Sequence, residues 1–146
     1  MRVQKLHARV FGPLRDLELA LDPGVVLVFG PNESGNSSFR SALETLLYGF
    51  EPAARDAHPL VRFDPSAGDL WLEAELLSDA GELTGVERVL QASGKLRTRG
   101  EGGDFVGMRQ GNSALPWVAD LPRALFRAVY SLELEQLAAL DAGIRV

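Results

Sequence analysis

The chain has 146 residues, 46% hydrophobic and 24% charged, with a formal net charge of -5. That length supports one domain with a core of its own, and the balance is ordinary for a water-soluble globular protein. A net negative chain is not a nucleic-acid-binding polycation, the lack of cysteine excludes disulfides and thiolate metal sites, and no apolar run is long enough to span a bilayer.

The N-terminal stretch MRVQKLHARVF alternates polar and apolar residues, so it lacks the apolar core of a signal peptide. With no membrane segment to read, the expected location is cytoplasmic. Leu6, Ala8 and Val10 fall on one face and Lys5, His7 and Arg9 on the other, the pattern of a half-buried strand. Gly12-Pro13 breaks it, and Leu17, Leu19 and Leu21 alternate with Glu18, Ala20 and Asp22 in a second strand. Asp22-Pro23-Gly24 suits a turn. Residues 25–29 are wholly apolar and predict a central strand covered on both faces.

A loop rich in Gly, Asn and Ser follows, and then a helix from about Gly35 to Tyr48. Phe39, Leu43, Leu46, Leu47 and Phe50 recur at helical spacing as its core face, and Gly49 and Pro52 end it. Strand, loop and helix in that order form the phosphate-cradling unit of nucleotide-binding proteins. The loop reads Gly30-Pro31-Asn32-Glu33-Ser34-Gly35-Asn36-Ser37. It fits G-x-x-x-x-G-K-[ST] except that Asn36 stands in the lysine position. Glycines let such a turn fold into a concave nest of N–H donors, and the helix adds free N–H groups and the positive end of its dipole. Asn32 to Ser37 would form the nest, Ser37 would coordinate Mg²⁺ through its hydroxyl, and Ser38 would donate to the α-phosphate of ATP. Asn36 is shorter than lysine and neutral, which predicts weakened nucleotide binding and hydrolysis largely lost. The competing reading of the same residues is a Gly/Ser-rich turn that binds nothing.

Residues 51–68 read as a long surface loop. Residues 69–99 read as an antiparallel meander, with Leu70, Leu72, Ala74 and Leu76 alternating against Trp71, Glu73, Glu75 and Leu77. Lys95, Arg97 and Arg99 share a strand face, either a solvated one or a DNA-facing one together with Lys5, His7 and Arg9. Residues 100–115, rich in glycine, read as a loop, and a helical period returns over 120–140, where the Leu121–Leu140 stripe reads as core packing. His7 and His58 lack metal-ligand partners at suitable spacing. Arg62 and Arg88 are open to a phosphate or DNA contact, with a solvated or paired arginine as the commoner reading, and Glu73 and Glu75 share a face without any cleft signal.

GPNESGNSSFRSALETLLYGF resembles the GPNExGKSS loop and first helix of the Rad50/SMC/RecF/RecN group of ABC-type ATPases, and LHARVFGPLRDLELALDPGVVLVFG resembles their opening strands. The pattern is most similar to the YhaN-like AAA family, through His58-Pro59-Leu60-Val61-Arg62-Phe63, Glu87-Arg88 and LPRALFRAVYSLELEQLAAL at 121–140. The resemblance implies an α/β P-loop NTPase fold, the first lobe of an ABC-type head: a mixed sheet with a P-loop helix plus an antiparallel β-meander. It implies that residues 1–146 form a single lobe, with 1–50 holding strands, loop and first helix, 69–99 the meander, and 120–140 a helical segment leading to a coiled coil. It implies ATP and Mg²⁺ at Gly30, Pro31, Asn32, Glu33, Ser34, Gly35, Asn36, Ser37 and Ser38, and a glutamine-loop role for Gln136. Several relatives carry an arginine beside the adenine after the first strand, where Arg15 is a weak substitute. No Walker B run of four apolar residues ending in Asp-Glu occurs in the chain. The expected function is ATP binding in an ATPase of DNA repair or metabolism, hydrolysis-impaired as it stands. The implied partners are a second lobe or second head, DNA and a nuclease. The alternative is a non-catalytic interaction module derived from such an ATPase.

Overall fold

A computed structural model describes residues 1–131 apart from 22–23, 32–34, 65, 67 and 108–110. The chain divides into two compact units, Met1–Leu115 and Pro116–Val146. In the first unit the strands are β1 (Arg2–Phe11), β2 (Leu14–Ala20), β3 (Leu70–Leu77), β4 (Leu83–Leu90), β5 (Gly94–Gly100) and β6 (Val106–Gly107). Among the described residues they form one sheet in the order β2-β1-β3-β4-β5-β6, antiparallel at every pairing. The helices are α1 (Asn36–Tyr48) and the short α2 (Pro59–Phe63). The described architecture is therefore α/β with an antiparallel sheet, which replaces the mixed sheet expected above.

The alternation in β3 sets the two faces. Leu70, Leu72, Ala74 and Leu76 are buried, while Trp71, Glu73, Glu75 and Leu77 are only partly covered. The inner face continues through Leu6 and Ala8 on β1 and Val86 and Leu90 on β4, and Ala42, Leu46, Leu47 and Phe50 of the α1 segment complete the core. Each fully buried leucine here contributes about 2 kcal/mol. In β1 the register against β3 shifts between Ala8 and Val10. This bulge changes the phase, so Phe11 rather than Val10 enters the core.

The apolar run at 25–29 is not a strand. It has no regular secondary structure and is open to solvent, with Val25, Leu27 and Phe29 exposed by 100%, 81% and 84% and Val26 and Val28 by 45% and 39%. A strand is held by ladder partners, and the six described strands pair among themselves. Val26 and Val28 instead turn toward Phe39 and Leu43 of α1, with which they line an open groove of about 290 Å³ beside Arg2, Val3 and Leu21. Phe39 and Leu43, expected in the core, are therefore only half-buried.

The stretch 51–68 is more ordered than a surface loop. It holds a 3₁₀ turn at Arg55–Ala57 and the α2 turn, with Pro59 at its start. Buried His58 caps α2 by accepting the Leu60 N–H at Nδ1 (3.3 Å), and its ring meets Phe50 edge-on at 5.9 Å. In the second unit, α3 spans Arg123–Val129, and Leu125 and Val129 are exposed rather than packed as expected for that stripe. The remainder of the stripe, with Gln136, lies outside the described residues.

Candidate functional site

Helix α1 begins at Asn36, directly after Gly35, whose φ of 98° and ψ of 13° place it in the left-handed region. A Cβ at Gly35 would stand 2.9 Å from Leu14 Cδ2, so conformation and space both call for glycine. Phe39 N donates to Gly35 O at 2.8 Å, the first bond of the helix. Helical geometry then gives the N–H groups of Asn36, Ser37 and Ser38 no acceptor within the helix. Gly35 has no side chain to cap them, Ser37 is exposed and Ser38 is half-buried. This end of α1 can take an anion chemically, since orphan donors and the dipole act in the same direction. Gly30 and Pro31 are exposed, whereas Asn32, Glu33 and Ser34 and the side chain of Asn36 lie outside the described structure.

The other end of α1 is a buried polar joint around Arg88, a residue the sequence leaves open to phosphate or DNA contact, to solvation or to pairing. Arg88 is 0% exposed. Its Nε donates to Leu46 O (2.6 Å), and Nη2 donates to Leu47 O (3.3 Å) and Ser113 O (2.7 Å). A guanidinium placed on the last carbonyls of a helix meets both orphan acceptors and the negative end of the dipole. Asn112 adds a two-point clamp: Phe50 N donates to Oδ1 (2.8 Å), and Nδ2 donates to Phe50 O (2.9 Å). Leu115 N donates to Leu47 O at 2.8 Å. The end of the glycine-rich stretch is thus stitched to α1.

Arg15 is engaged away from the loop. It donates to Gly12 O and, through Nη2, to Asp64 Oδ2 at 3.0 Å. The Asp64 carboxyl is held below its usual range, first by the Ser66 hydroxyl and then by Arg15.

The outer face of the sheet carries charge in alternating columns. Lys5 pairs with Glu18 (2.8 Å), His7 with Asp16 (2.6 Å), Arg9 with Glu73 (2.8 Å), Arg97 with Glu87, and Arg99 with Glu75 (3.7 Å). Glu73 and Glu87 stand directly opposite in the β3–β4 register. Like charges there are unfavourable, and the arginine beside each offsets it. Trp71 Nε1 donates to Glu87 (3.0 Å), and the Arg9 guanidinium lies 4.6 Å over the Trp71 ring. The Glu18 carboxyl is shifted down and the Lys5 ammonium up, each chiefly by their shared hydrogen bond. Glu73 and Glu75 are therefore ion-pair partners rather than an acid/base couple, and the cations left open above between a solvated and a DNA-facing face alternate with carboxylates. Among the described residues no three His, Asp or Glu side chains group as metal ligands, and no helix is long and apolar enough to cross a membrane.

The chain is similar to the uncharacterized protein YhaN of Bacillus subtilis (strain 168), 26% identical over 147 aligned residues that cover 97% of this chain and 14% of that protein. It is also similar to the DNA replication and repair protein RecF of Roseiflexus castenholzii, 35% identical over 91 residues that cover 61% of this chain and 23% of that protein. The chain spans less than a quarter of the length of either relative. A family model described as an AAA domain matches residues 1–143. Nearly end to end, then, the chain belongs to the AAA domain family, in the SMC/RecF-type group of ATPase-like domains that its likeness to YhaN and RecF marks.

Proposed function

We propose that this chain is the nucleotide-binding first lobe of an SMC/RecF-type ATPase head with a P-loop fold, in which Gly30–Ser38 receives the phosphates of ATP and Ser37 the accompanying Mg²⁺. The observation that carries the reading is the start of α1: a left-handed Gly35 against Leu14, first-turn N–H groups that the Gly35 N-cap leaves without a side-chain cap, and an exposed serine. The residues fit the group, because backbone donors meet phosphate and a hydroxyl suits a hard cation. Mg²⁺ when bound would neutralise phosphate charge. Asn36 supplies no cation, so the loop binds nucleotide weakly and supports little hydrolysis.

Completion from outside this chain is part of the same reading. Val25, Leu27 and Phe29 are an exposed apolar run beside the groove at Phe39 and Leu43, which suits strands of a second lobe. Replacing Leu27 by lysine should change stability by less than about 0.5 kcal/mol, because the side chain is 81% exposed. The same change should reduce pairing with a separately supplied second lobe, read by sedimentation. A role in DNA metabolism is supported by the RecF likeness alone.

The direct test is titration with ATP, with and without Mg²⁺, followed by calorimetry. Saturable binding that weakens at least about fivefold on Ser37→Ala or on chelation is the expected result, since a charge-assisted contact contributes about 1–2 kcal/mol. Binding that ignores both changes would overturn the assignment of Ser37.

A further inference from the structure

We propose that Arg88 and Asn112 act together as positioning residues that aim the N-terminal end of α1 from its far end. The inference rests on reading that N-terminal end as the phosphate site. Helix α1 is a rod of 13 residues, roughly 20 Å long. Its two halves are held unequally. Ala42, Glu44, Thr45, Leu46 and Leu47 are all buried, whereas Ser37 and Ser41 are exposed and Ser38, Phe39 and Arg40 are only half-covered. The polar fastenings described above also sit at the C-terminal end, where Arg88 grips Leu46 O and Leu47 O and Asn112 grips both backbone groups of Phe50. The rod is therefore cantilevered.

Leverage follows from this geometry. A tilt of about 10° at the C-terminal joint moves the first turn by roughly 3 Å over that length. A displacement of about 1 Å is sufficient to weaken a preorganised contact severely. Arg88 is suited to fixing the angle because its planar fork binds carbonyls from two directions, Leu46 and Leu47 on the helix and Ser113 on the adjoining strap. A lysine has the charge but cannot hold three carbonyls in that plane. Glycines leave room for the joint: a Cβ at Gly94 would stand 2.8 Å from Asn112 Cγ, and one at Gly111 2.8 Å from Gly94 O.

The test uses Arg88→Lys and Asn112→Ala, which leave the apolar core in place. Two readouts are taken below the melting temperature of each variant. The first is the set of backbone amide NMR resonances of Gly35, Ser37, Ser38 and Phe39, compared with those of Leu17 and Leu19 in β2, which β1 and β3 separate from Arg88 in β4. The second is Mg-ATP affinity in a background carrying Asn36→Lys. The expected result is displaced resonances at 35–39 with β2 unchanged, and affinity weakened about tenfold. Resonances at 35–39 that stay in place while those of Gly49 and Phe50 move would overturn the proposal and leave Arg88 a local fastening. If the Asn36→Lys parent binds no Mg-ATP, the phosphate reading fails, and the amide resonances alone decide whether the far end aims the helix.

Discussion

Gly49→Ala is expected to lower stability by about 4 kcal/mol, a fall of roughly 15 °C in the melting temperature. Two costs coincide at this position. Gly49 has φ of 93°, a region that a Cβ disfavours. Its Cβ would also stand 2.8 Å from Asn112 Oδ1 and closer still to the Asn112 carbonyl oxygen, and that backbone is anchored by its own clamp on Phe50. Gly81 is the control. It has φ of 86° but nothing within 4 Å of its would-be Cβ. Gly81→Ala should therefore lose only about 1 kcal/mol, the conformational part alone. Equal losses from the two substitutions, measured by urea denaturation, would show that the Asn112 joint yields and that backbone conformation alone sets the cost.

The comparison also marks what the sequence could disclose. The alternation of Leu70, Leu72, Ala74 and Leu76 was legible because one face of β3 is buried and the other is not, which is the condition under which period two carries information. The end of α1 at Gly49 was legible because a residue of positive φ after a helix calls for glycine. Arg88 was not. On a strand it reads as a surface charge, and its acceptors at Leu46 and Leu47 lie 42 and 41 residues away. The strap at 111–115 was hidden for the same reason. Glycines suggested a loop, while the organising residue was Asn112, whose partner Phe50 is 62 residues distant. His58 was the intermediate case, since His-Pro before an apolar turn is consistent with a cap but does not require one.

The run Val25–Phe29 is a different kind of departure. Its pattern calls for cover on both faces, and the described fold leaves it largely open. A contiguous apolar patch of this kind marks an interface more often than a free surface. The pattern therefore fits the proposal that a second lobe covers this run. The adjacent helix start needs nothing of that sort: Gly35, its left-handed backbone and the first turn of α1 are formed within this unit. On the reading proposed above, phosphate recognition would rest on local backbone, and the apolar run that leads into the loop would be covered by partners outside it.

That separation makes Asn36→Lys the most informative change for function. Mg-ATP is expected to bind about five- to thirtyfold more tightly to the Asn36→Lys protein, because an ammonium adds a charge-assisted contact of about 1–2 kcal/mol beyond what a neutral amide gives. The substitution should leave the fold intact, since lysine is a better helix former than asparagine and position 36 is the first residue of α1. The gain should be salt-dependent, which an apolar contribution to binding would not be. Hydrolysis is expected to remain slow in both forms, because the chain carries no Walker B run to prepare a water. Measured by calorimetry at two ionic strengths, affinity that rises with lysine and falls with salt would place the phosphates over the start of α1. Equal affinity in both forms would mean that nucleotide does not meet position 36, and the case for a phosphate-binding loop would then fail at the residue that first raised it.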